Sequence, residues 1–119
     1  MLFFQSVLLA LFATISSGFA QGCFVYGPPY QLQSDTVVWS MTIGSGQSCT
    51  RGLRSVHTTL ENIALVVLPR SGQVKLEGPG FMYKGDLDFR GEDSFSFLVS
   101  GKLNRIGGSS TIRVVVSVR

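Results

Sequence analysis

Two stretches near the end of the chain restrict its fold more than anything else in it. In DSFSFLVSG, Phe95, Phe97 and Val99 fall on one side and Ser94, Ser96 and Ser100 on the other. In TIRVVVSVR, Ile112, Val114, Val116 and Val118 alternate with Arg113, Ser117 and Arg119. A period of two is that of a pleated strand with one face covered, so the apolar members of each run are expected inside. The segment between them, GKLNRIGGSS, has the glycine and serine content of a loop, and the two strands are predicted to pair as an antiparallel hairpin.

The same reading extends upstream. TVVWSMTI puts Val37, Trp39, Met41 and Ile43 on one face, with Trp39 as the core anchor. IALVVLP has no polar alternation and reads as a strand covered on both faces, or nearly so. QVKLE and FMYK are short strands bounded by Gly72, by Gly78-Pro79-Gly80 and by Gly85, while GSGQSCTRGLRSVHTTLEN has the composition of a loop. Gly27-Pro28-Pro29 removes two successive backbone donors, which suits an edge or an extended arm. No helix of useful length is expected. The fold class is all-β: an immunoglobulin-like sandwich of about seven short antiparallel strands.

MLFFQSVLLALFATISSGFA has the layout of a secretory signal peptide, an apolar run followed by Gly18 and Ala20 at the positions a signal peptidase reads. The run falls short of the roughly 20 residues that cross a bilayer, so residues 1–20 are assigned as a signal and 21–119 as one domain, with no membrane span after cleavage. The formal charge of +3 comes from scattered residues and gives no nucleic-acid footprint. The destination is the periplasm or the exterior. There, Cys23 and Cys49, an even count, are expected to form a disulfide. Ala20-Gln21-Gly22-Cys23 leaves a lipid anchor on Cys23 as the alternative.

From Val67 to Val118 one succession of parts stands out. Pro69 and Gly72 precede a strand, Phe81 and Tyr83 lie in the next, and Phe89, Gly91, Asp93 and Phe95 follow. Gly107 with Gly108 then leads into the valines from Val114 to Val118. This pattern resembles the bacterial immunoglobulin-like and cadherin-like domains of exported and surface proteins. The resemblance covers about half of the mature chain and does not reach the N-terminal half with its two cysteines. It implies a β-sandwich with binding or structural duties.

Three groups of residues could carry chemistry. Asp86, Asp88, Glu92 and Asp93 crowd a turn as calcium ligands do. Arg90, however, stands where a third oxygen ligand is wanted, and the preferred reading is structural: Asp93 makes the corner and Gly91 supplies a positive φ. Arg51, Arg54 and His57 could form a basic patch for sulfate, phosphate or an acidic sugar, against a loop whose arginines are merely solvated. Tyr26, Pro28, Pro29 and Tyr30 offer faces that could stack on sugar rings or cover the sandwich edge. His57 is the only histidine and no serine sits in a nucleophile motif, so no catalytic residue and no cofactor are expected. The function expected is a non-catalytic module of the bacterial cell envelope or exterior, binding a polymer or protein through loops. The alternative is an inhibitor or accessory subunit of an envelope enzyme.

Overall fold

The computed structural model describes residues 22–119; the signal peptide assigned to residues 1–20 lies outside them. Eight strands form two sheets. They are β1 (Cys23–Tyr26), β2 (Asp35–Ile43), β3 (Ser48–Gly52), β4 (Thr58–Val67), β5 (Gly72–Glu77), β6 (Gly80–Gly85), β7 (Gly91–Leu103) and β8 (Ile106–Val118). The larger sheet runs β1-β2-β8-β7-β4 and the smaller β3-β6-β5, so the chain changes sheet between β2 and β3, β3 and β4, β4 and β5, and β6 and β7. The fold is all-β, as expected.

The core lies between the two inner faces. Phe95, Phe97, Val99, Ile112, Val114 and Val116 are fully buried, and Val37, Trp39, Met41 and Ile43 complete the inner face of the large sheet. Phe81, Tyr83 and Cys49 come from the small one. The two layers meet through rings: Phe81 lies 4.9 Å from Phe97 and 5.5 Å from Phe95, and Tyr83 stacks on Phe95 at 5.5 Å. Such pairs add roughly 0.5–1.5 kcal/mol each to the burial of their apolar area.

The strand set departs from the expectation in four places. There are eight strands, and β2 pairs with β8 in parallel, from Asp35 opposite Ser110 to Ile43 opposite Val118. The stretch GSGQSCTRGLRSVHTTLEN, expected to be loop, contains β3 and the start of β4. GKLNRIGGSS is mostly strand, because β7 and β8 continue to Leu103 and Ile106 and turn on Asn104 and Arg105, both at positive φ. IALVVLP is covered on one side only: β4 is an edge strand, and Val66, Val67 and Leu68 are exposed. An apolar run reads the same whether its second face meets protein or water, so composition alone could not place it.

A polar knot starts the parallel ladder. Asp35 accepts hydrogen bonds from the backbone N–H of Gln31 (2.9 Å) and Gln33 (3.0 Å) and from the Ser110 hydroxyl (2.5 Å). Ser110 Oγ in turn accepts the N–H of Leu32 at 2.8 Å. Leu32 and Ser34 are held at φ of 55° and 60°, a region that ordinary side chains avoid unless the surroundings enforce it. Gly108 leaves the space for this: a Cβ there would overlap the Leu32 carbonyl.

Candidate functional site

Cys23 on β1 and Cys49 on β3 are joined in a disulfide with a Cα–Cα distance of 5.8 Å, as the even cysteine count implied. The bond ties the edge of the large sheet to the edge of the small one, and a sulfur so bonded is not available for a lipid thioether. Beside it, where β1 and β2 face β3, lies a shallow cavity of about 180 Å³ lined by Pro29, Tyr30, Trp39, Arg51, Leu53 and Arg54, among others.

The walls of this cavity are locked. The Tyr30 hydroxyl donates to the Leu53 carbonyl at 2.5 Å, and Trp39 Nε1 donates to the Pro28 carbonyl at 2.8 Å. Tyr30 is therefore a buried wall, 4% exposed, and not the stacking face that the sequence offered. Burial pushes the Tyr30 phenol above its ordinary range. Arg51 donates from Nη1 to the Val25 carbonyl at 3.0 Å, and its guanidinium lies 5.7 Å from the centre of the Trp39 ring.

Both partners of Arg51 are uncharged, so the guanidinium keeps its full charge. Of its five N–H donors one is used by Val25, and the flat group is held in place by a carbonyl and a ring. Arg54, also exposed, faces the same cavity. The structure thus brings together two of the three basic residues singled out in the sequence. His57 is not part of the cavity. It occupies the turn before β4 at a φ of 62°, where its carbonyl accepts the N–H of Asn104 at 3.2 Å.

The four acidic residues do not converge. Asp86, at the end of β6, lines one depression with Lys84 and Leu87, whereas Glu92 and Asp93 line another with Arg70 and Arg113. Asp88 is exposed at a φ of 62°. Glu92 accepts the Ser117 hydroxyl at 2.7 Å. Asp93 is buried and accepts four hydrogen bonds: Arg70 N at 2.9 Å, Ser71 N at 3.1 Å, Tyr83 Oη at 2.8 Å and Ser94 N at 2.9 Å. Gly91, two residues earlier, has a φ of 137°. Among the described residues no three His, Cys, Asp or Glu side chains gather as metal ligands. Burial, the bond to Asp93 and the charges of Asp93 and Asp86 push the Tyr83 phenol far above its usual range, which keeps it a donor.

Sequence reasoning singled out Arg51 and Arg54 but not Trp39 and Leu53, which line the same cavity. Trp39 showed only its strand periodicity, and its neighbourhood to Arg51 arises from the pairing of sheets. Comparison with models of known protein families and with curated proteins finds no match for this chain.

Proposed function

We propose that the chain is an exported, non-catalytic binding module of the bacterial cell envelope or exterior, and that the Arg51–Arg54 cavity holds an anionic group of an envelope polymer. The observation that carries this reading is the orientation of Arg51. A free arginine must give up rotamer freedom to bind, whereas one already held by the Val25 carbonyl and the Trp39 ring has less to lose. Its remaining donors suit the bidentate recognition of a carboxylate, sulfate or phosphate. A cavity of about 180 Å³ is smaller than the roughly 300–1,000 Å³ of sites that enclose a whole small ligand. It fits one substituent of a longer molecule.

The order of strands supports an immunoglobulin-like assignment. Taking β3 to β8 in chain order, the small sheet β3-β6-β5 and the segment β4-β7-β8 of the large one reproduce the B-E-D and C-F-G arrangements of that sandwich. The disulfide agrees with a destination outside the cytoplasm. A second reading, an inhibitor or accessory subunit of an envelope enzyme, draws on the exposed apolar ridge Val66–Leu68 along the β4 edge.

Titration with sulfate or phosphate, followed by the NMR signals of the arginine Nε–H groups, tests the anion site. Arg51 and Arg54 should shift together and saturably, and Arg54→Ala should weaken the response at Arg51. A titration in which all arginines drift equally, without saturation, would remove the site.

A further inference from the structure

The cavity borders a second unusual surface on the same edge strand. Val25, whose carbonyl Arg51 holds, is flanked by Phe24 and Tyr26, which point to the opposite side and are 67% and 68% exposed. Alternate residues of a strand stand about 6.6–6.8 Å apart, so the two rings form a short row along β1. The cross-strand partners of these rings are hydroxyl residues: Phe24 lies opposite Thr42 and Tyr26 opposite Ser40. The rows continue over β8 and β7, through Ser117 to Glu92 and through Val115 to Ser94. Next to the two large rings at the rim the floor is made of the short side chains Thr42, Ser117, Ser40 and Val115, with Ser94 and the carboxylate of Glu92, which accepts the Ser117 hydroxyl, further from the edge.

We propose that this surface binds the sugar rings of an acidic polysaccharide whose carboxylate enters the Arg51–Arg54 cavity. The inference rests on the anion site described above and adds the class of its ligand. A pyranose presents C–H faces to an aromatic ring and hydroxyls around its rim, which matches rings next to Ser40 and Thr42. A polyphosphate has no apolar face to set against Phe24 and Tyr26. A protein partner fits less well, because serine is depleted in protein–protein interfaces while here hydroxyl side chains lie beside the rings in both rows. Gly27, next to Tyr26 in the chain, lines the cavity, so one polymer passing over the β1 edge meets both features.

The test uses polygalacturonate as the probe at physiological salt, with inorganic sulfate as the control anion. The Phe24→Ala/Tyr26→Ala variant is expected to bind polygalacturonate roughly tenfold or more weakly, the scale of losing contact with two large rings. Its sulfate response at Arg51 and Arg54 should be unchanged, which also shows that it folds. Tyr26→Phe, which keeps the ring, should keep the affinity. Equal polygalacturonate affinity for the wild type and the double alanine variant, with the sulfate response intact, would overturn the polysaccharide assignment and leave the anion site standing. If sulfate fails to act on Arg51 and Arg54 in the wild type, the anion site falls, and this inference with it.

Discussion

Replacing Asp93 by alanine should be among the most damaging single changes in this domain, although the residue looks at first like one carboxylate in a charged surface loop. Its two oxygens accept four hydrogen bonds, which tie the loop at Arg70 and Ser71 to β6 through Tyr83 and to the start of β7. Hydrogen bonds to a charged group contribute roughly 1.5–3 kcal/mol each, but their sum is not the expected loss. Arg70 is exposed and Ser71 half-buried, so their amides can turn to water. Tyr83 is fully buried, and its stranded hydroxyl alone costs about 1–3 kcal/mol. A net loss of about 3–4 kcal/mol follows when partial loss of the amide bonds is added. For a domain of this size that lowers Tm by roughly 15–25 °C. Urea denaturation of the wild type, Asp93→Ala, Tyr83→Phe and the double variant measures both the loss and its source. Tyr83→Phe should be milder, and it should cost little on the Asp93→Ala background, because the hydroxyl no longer has a partner there. A loss below about 0.5 kcal/mol for Asp93→Ala, in the range of an ordinary surface change, would refute the account, as would additive effects of the two substitutions.

Two further outcomes concern stability. Opening the Cys23–Cys49 bond, which closes a loop with a sequence separation of 26, should cost about 3.5 kcal/mol in the chain-entropy model; denaturation with and without reductant, and of the Cys23→Ser/Cys49→Ser variant, measures it. Burial acts to raise the Asp35 carboxyl, but the hydrogen bonds from Ser110, Gln33 and Gln31 outweigh it and hold the group below its ordinary range. A depressed folded value means that this contribution is fully present above the unfolded value, about 3.9, and is lost as the pH falls through the folded one. Stability measured from neutral pH downward should therefore decline less steeply in Asp35→Asn than in the wild type; parallel curves would show that Asp35 does not carry this dependence.

Much of the interior was legible in the chain. The alternation of Phe95, Phe97 and Val99, and of Ile112 to Val118, can be satisfied in only one way once one face is covered, because a slip of one residue would turn every ring and valine to water. In these two strands the residues that read as inward are the buried ones. The cysteine pair was legible too, since an even count of two in a chain expected to be exported favours their pairing. The glycine and serine of GGSS were misleading. They resemble a loop, yet Gly108 sits within a strand because the Leu32 carbonyl lies where its side chain would be, and Ser110 is buried to hold Leu32 and Asp35.

Everything that joins distant segments lay beyond such reading. The parallel pairing of β2 with β8 links residues about 75 positions apart, such as Asp35 with Ser110, and leaves no local periodicity to detect. β4 is an edge because of the strand order, whatever its composition suggests. The candidate site shows the division most clearly. Arg51 and Arg54 were visible as charge, but their meeting with Trp39 and Tyr30, and the hold of the Val25 carbonyl on Arg51, exist only because the sheets bring β1, β2 and β3 to one corner. Local pattern settles which face of a strand is buried, since burial of apolar area is a property of each side chain. The assembly of a site depends on contacts between segments far apart in the chain, and those arise only when the whole core has packed.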